Sequence, residues 1–146
     1  THKKEENILN SIQLDEILAD NYNVIQINQK LFDLVDIIKR SEKNIFAVVD
    51  DEEKFVGLVE LNDIKMLLFD MRKHDSTLIK NIFKKPREVI YVGESMKKIM
   101  KKFDMSQTWY LPVLTKERKF VSFVSKTRLF SKYREIILAQ ADIYED

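Results

Sequence analysis

The sequence predicts a mixed α/β fold, of the α+β kind, made of two β-α-β-β-α copies packed sheet to sheet with pseudo-twofold symmetry. Three observations lead there: an internal repeat without gaps, one amphipathic helical stripe near the front of each copy, and paired apolar runs around polar turns. Residues 54–64 read KFVGLVELNDI and residues 119–129 read KFVSFVSKTRL. An offset of 65 aligns residues 14–64 with 79–129, matching Ile17 with Ile82, Val24 and Ile25 with Val89 and Ile90, Ser41 with Ser106, and Val48 with Val113. A period above about 50 residues is too long for most solenoid units, so tandem copies of a small mixed subdomain are expected. The divisions are a lead helix or linker (1–13), repeat 1 (14–74), repeat 2 (75–138) and a tail (139–146).

Each copy opens on a short strand, VIQI at 24–27 and VIYV at 89–92. A helix follows: Leu31, Leu34, Val35 and Ile38 recur at helical spacing, as do Met96, Ile99, Met100 and Phe103. The runs IFAVVD (45–50) and YLPVLT (110–115) are rich in β-branched and aromatic residues, as strands buried on both faces are. Polar turns, DEE and KER, lead into KFVGLV and KFVSFV to complete a hairpin in each copy. Pro112 has no N–H to donate and points to an edge strand or a ladder gap. A second helix is expected along Ile64, Leu67, Leu68 and Met71, and its counterpart along Leu129, Tyr133, Ile136 and Ile137. A three-stranded sheet with two helices leaves one face bare, which is a reason to pair the copies.

At 146 residues and 45% hydrophobic, the chain can bury a core. A net charge of +1 from 25 basic and 24 acidic residues argues against nucleic-acid binding. The absence of cysteine removes disulfides, thiolate metal sites and thiol nucleophiles, and fits a reducing compartment. No apolar run approaches the roughly 18 residues of a membrane span. The opening THKKEE has neither methionine nor an apolar signal core and reads as the start of an excised segment, with the activity expected in the missing part.

The β-α-β-β-α order, with a glycine-bearing strand running through a short polar bridge into a helix, resembles the CBS domain, and two in tandem resemble a CBS pair over about residues 14–138. KFDMSQTWYLPVL (102–114) with FVSKTRLFSKYREIIL (123–138) is similar to the C-terminal cytoplasmic region of bacterial ClC-type chloride channels and transporters. The resemblance implies a non-catalytic regulatory attachment on the cytoplasmic side of the cell membrane. It implies a homodimer, joined to the membrane-embedded ion-transport domain of the same chain.

The alternative is an adenine-nucleotide or anion sensor, free-standing or fused to another protein. Many CBS pairs bind adenine nucleotides through Gly, two apolar residues, Ser or Thr, two variable residues, then Asp. The carboxylate accepts the ribose hydroxyls, while the hydroxyl and helix-start N–H groups receive phosphate. Here the pattern is split. The first copy keeps Gly57 and Asp63 but has Glu60 in place of the hydroxyl; the second keeps Ser125 but has Ser122 for glycine and Arg128 for aspartate. A carboxylate about 4 Å from phosphate costs roughly 1 kcal/mol in water and about 4 kcal/mol at an effective dielectric of 20, so Glu60 makes the first site poor for phosphate. Arg128 with Ser125 and Thr127 at a helix start would suit an anion, but no acid remains there for ribose. The plainer reading, favoured here, makes Asp63 a first-turn carboxylate and Arg128 a surface cation, with no cofactor bound.

Other features read as structure first. Lys97, Lys98, Lys101 and Lys102 form a solvated helix face, or one attracted to an anionic leaflet. Met96, Met100 and Met105 fill core, with an adaptable binding surface as the sharper alternative. Trp109 starts a strand against the core, with nucleobase stacking as the alternative. The DDEE run at 50–53 lacks EF-hand spacing and is a turn, not a metal site. Two histidines, His2 and His74, and two glycines, Gly57 and Gly93, leave no histidine dyad, Rossmann fingerprint or P-loop, so no catalytic residue is expected.

Overall fold

The computed structural model describes residues 2–144, and their side chains over residues 3–141. In chain order the elements are α1 (His2–Asn10), α2 (Leu14–Ile17), β1 (Val24–Gln26), α3 (Leu31–Ile38), β2 (Ile45–Val49), β3 (Phe55–Glu60) and α4 (Lys65–Phe69). They continue with β4 (Ile90–Tyr91), α5 (Met96–Ser106), β5 (Tyr110–Leu114), β6 (Phe120–Ser125) and α6 (Lys126–Tyr144). The class is mixed α/β, with two three-stranded sheets ordered β1-β2-β3 and β4-β5-β6.

The chain forms two compact units, and they do not coincide with the two repeats. One comprises Asn21–Pro86 with Leu114–Val121; the other comprises the chain up to Asp20, Arg87–Val113, and the chain from Ser122 on. The opening stretches of the two repeats, 14–20 and 75–86, called lead segments below, therefore each belong to the unit built mainly from the other repeat.

In the unit containing repeat 1, β1 runs parallel to β2 with Val24 opposite Ala47. β2 runs antiparallel to β3 with Phe46 opposite Val59 and a register shift at Val48/Val49. All five residues of β2 are buried, as its unbroken apolar run requires. Ile25, Leu31, Leu34, Phe46, Val48, Val59 and Ile64 form the core with Ile79, which comes from the lead segment of repeat 2. Asp33 accepts the N–H of Lys30 at 2.9 Å and so caps α3. The hairpin turns carry Glu53 and Arg118, one repeat apart, both in the left-handed region (φ 64° and 67°). Asp50 holds the first turn by accepting the N–H groups of Glu52 and Lys54, both at 2.9 Å, so this acid of the DDEE run serves the turn. The tip of the second hairpin joins this unit: Phe55 N–H donates to the Arg118 carbonyl at 2.8 Å, and the Phe55 and Phe120 rings stack at 6.0 Å.

The second helix of repeat 1 is a correction. It is a 3-10 turn (Leu61–Ile64), the short α4, and a further 3-10 turn (Met71–Lys73). Asp70 ends α4 and caps the next turn by accepting the N–H of Arg72 at 3.2 Å. Met71 consequently leaves the predicted stripe and is 80% exposed.

In the other unit, Ile90, Met96, Ile99, Phe103, Leu111, Val113, Val124 and Leu129 pack with Ile12 and Ile17 from the N-terminal segment. Ser95 caps α5 by accepting the N–H of Lys98 at 3.2 Å, and Gln107 closes it in the left-handed conformation. β5 is the central strand of its sheet, so Pro112 is not at an edge. Tyr133 and Ile136 of α6 pack on the core, but Ile137 is 39% exposed. Trp109 is likewise not packed inward: it is 65% exposed, with the Lys126 ammonium 5.2 Å above its ring. Met96 and Met100 fill core whereas Met105 is exposed. Lys102 leaves the solvated face; its ammonium donates to Glu94 and to the Val89 carbonyl, each at 2.7 Å.

Candidate functional site

Two sets of residues follow from the split pattern, and each is completed by a lead segment. In the first, β3 brings Gly57 and Glu60, and the following 3-10 turn brings Asp63. Opposite β3 lies the lead segment of repeat 2: Leu58 N–H donates to the Lys84 carbonyl at 2.7 Å and Lys84 N–H returns to Leu58 at 2.8 Å. A Cβ on Gly57 would lie 2.4 Å from the Phe83 ring and 2.5 Å from the Lys84 carbonyl oxygen, so glycine is what lets the two backbones meet.

This pairing aims the Lys84 ammonium at both acids, 2.7 Å from Asp63 and 3.2 Å from Glu60. Its amine is held above the usual lysine range by the hydrogen bond to Asp63, with Glu60 adding to the effect against the opposing burial. The cluster of Glu60, Asp63 and Lys84 carries one net negative charge. Glu60 is therefore paired and not bare, while the cluster as a whole stays acidic.

The second set stands on β6 and the first turn of α6. Ser125 is buried and its Oγ accepts the N–H of Arg128 at 3.2 Å, capping the helix. Thr127 and Arg128 are exposed on that turn. Here the lead segment of repeat 1 takes the strand position: Ala19 N–H donates to the Phe123 carbonyl at 2.8 Å. Arg128 reaches it with one N–H on the Leu18 carbonyl at 2.7 Å and another on Asp20 at 2.6 Å. Ser122, in the position of Gly57, donates its hydroxyl to the Ala19 carbonyl at 3.2 Å.

Lys84 and Asp20 are the residues that sequence reasoning missed. Their signal was the same 65-residue offset, which puts Ala19 against Lys84 and Asp20 against Lys85. Of the two histidines, the side chain of His2 lies outside the described residues, and His74 Nε2 lies 2.8 Å from the Leu68 carbonyl oxygen. No helix among the described residues is long and apolar enough to cross a membrane.

Residues 14–70 match the model of the CBS domain. The fold is that of a CBS domain pair. The chain is similar to a CBS domain protein from Streptococcus pneumoniae TIGR4, with TM-score 0.75 and 20% identity over 93% of this chain and 95% of that one. It is similar to CbpB in complex with c-di-AMP, with TM-score 0.77 and 18% identity over 97% of each chain. It is also similar to CBSX2 in complex with AMP, with TM-score 0.68 and 15% identity over 84% of this chain and 96% of that one. Comparison with curated proteins gives no match. Within this fold, then, the charges at both helix starts are spent on the lead segment of the other repeat.

Proposed function

We propose that the chain is a non-catalytic regulatory CBS pair of a ClC-type chloride channel or transporter. In this reading it works as a homodimer on the cytoplasmic side of the cell membrane, attached to the ion-transport domain of the same chain. The observation that carries the regulatory reading is the internal pairing of Asp63 and Glu60 with Lys84, and of Arg128 with Asp20 and the Leu18 carbonyl. Charges committed in this way leave the module to act through protein contacts. The ClC assignment rests on the resemblance of residues 102–114 and 123–138.

A thermal scan with AMP, ADP, ATP and c-di-AMP at millimolar concentration tests it. A ligand at 100 times its dissociation constant adds about 2.7 kcal/mol, enough to raise the melting temperature by several degrees. No rise is expected. A rise would pass the function to the second reading, an adenine-nucleotide or anion sensor. That reading is supported by the c-di-AMP and AMP named with the similar structures. For the parent, anion flux in reconstituted vesicles should change when this region is deleted. Sedimentation should give a particle of twice 17.4 kDa.

A further inference from the structure

Both lead segments dock by the same backbone device. Lys84 lies across from Leu58, and Ala19 lies across from Phe123, at positions one repeat apart. Ile79 and Ile17 anchor the two segments in their respective cores. Strand pairing is thus alike at the two docks and does not by itself tell a segment which repeat to choose; beside it, the Gly57 dock admits the Phe83 ring where the other dock carries Ser122.

The charges do. The first segment brings an acid, Asp20, to a base, Arg128; the second brings a base, Lys84, to two acids, Glu60 and Asp63. Arg128 and Asp63 are themselves one repeat apart, with opposite sign. Docked on its own repeat, the first segment would set Asp20 against Glu60 and Asp63, and the second would set Lys84 against Arg128. The exchanged arrangement makes two attractions, and the unexchanged one makes two repulsions.

We propose that this sign reversal is a pairing code that assigns each lead segment to the other repeat. It accounts by one cause for the two departures from the shared Ser/Thr-to-Asp pattern, Glu60 in the first copy and Arg128 in the second, since both contact a lead segment.

The test reverses the leads alone. D20K/K84D keeps the net charge and should melt several degrees below the parent at low salt, with the gap narrowing in 1 M NaCl as the exposed charges are screened. Adding E60Q, D63R and R128D reverses the docks as well and should recover most of the loss. Segment choice is read directly because the chain has no cysteine. Leu18 and Val124 are bridge partners, so L18C/V124C should cross-link on oxidation, while L18C/V59C, with the equivalent residue of the other repeat, should not. In the D20K/K84D background the L18C/V124C yield should fall severalfold. An unchanged melting temperature and cross-link yield in D20K/K84D would overturn the code, as would failure of the fivefold variant to recover or to fold.

Discussion

Gly57 and Gly93 are the chain's two glycines and are needed for different reasons. Gly93 has φ of +98° with open space around it, so its demand is conformational. Gly57 has no positive φ but no room, since the Phe83 ring and the Lys84 carbonyl occupy the place of a side chain. At its counterpart in the second copy a serine fits, and Ser122 donates its hydroxyl to the Ala19 carbonyl. The Gly-to-Ser difference is thus explained by packing against a lead segment, without a ligand. Gly57→Ala should cost about 1–3 kcal/mol as an overpacked contact, lowering the melting temperature. Hydrogen exchange distinguishes it from Gly93→Ala: only the former should speed exchange at the Leu58 and Lys84 amides, because the carbonyl it displaces closes that bridge.

At the scale of elements, β4 and α5 are tied by a partly buried ion pair. Glu94 accepts the Tyr91 N–H and the Lys102 ammonium on one oxygen, each at 2.7 Å; the other oxygen is buried with no hydrogen-bond partner among the described residues. The side chains of Lys102 and Glu94 are 14% and 9% exposed. Burial pushes the Glu94 carboxyl up, but the hydrogen bonds from Lys102 and Tyr91 and the charges of Lys102 and Lys98 together hold it below the ordinary value of 4.5. A depressed carboxyl contributes stability that is present above pH 4.5 and is lost as pH falls through its folded value. Lys102→Met strands that carboxylate and should cost about 3 kcal/mol at pH 7 in urea titrations. The gap between parent and variant should shrink steadily below pH 4.5. The helical stripe that predicted α5 was legible because it is local, recurring every three or four residues. The inward turn of Lys102 was not, because Glu94 lies eight residues away and only the folded strand-to-helix corner brings them together. The broken second helix of repeat 1 was missed for a related reason. Its apolar spacing continues to Met71, while the cap at Asp70 that interrupts it rests on side-chain hydrogen bonds with Arg72.

For the whole molecule, the repeat was legible and the partition into units was not. The 65-residue period follows from shared apolar positions, each set by local strand or helix geometry. Exchange of the lead segments is a long-range choice, and it leaves its mark in the signs of Asp20, Lys84, Asp63 and Arg128 and in the glycine at 57 against the serine at 122. The exchange has a consequence for dissection of the chain. A fragment cut at the repeat boundary, 14–74, retains the sheet β1-β2-β3 but loses Ile79 from its core and Lys84 from its edge. A fragment running 21–86 is of similar length and keeps both, at the cost of residues that pack in the other unit. Burial of one Ile side chain is worth about 1.5–3 kcal/mol, a large part of what so small a unit can muster. Fragment 21–86 should therefore show the stronger far-UV dichroism and a higher urea midpoint than 14–74, and should protect the Leu58 amide from exchange. Equal midpoints for the two fragments would mean that the repeats fold by themselves and that the exchanged segments are an ornament of the assembled chain.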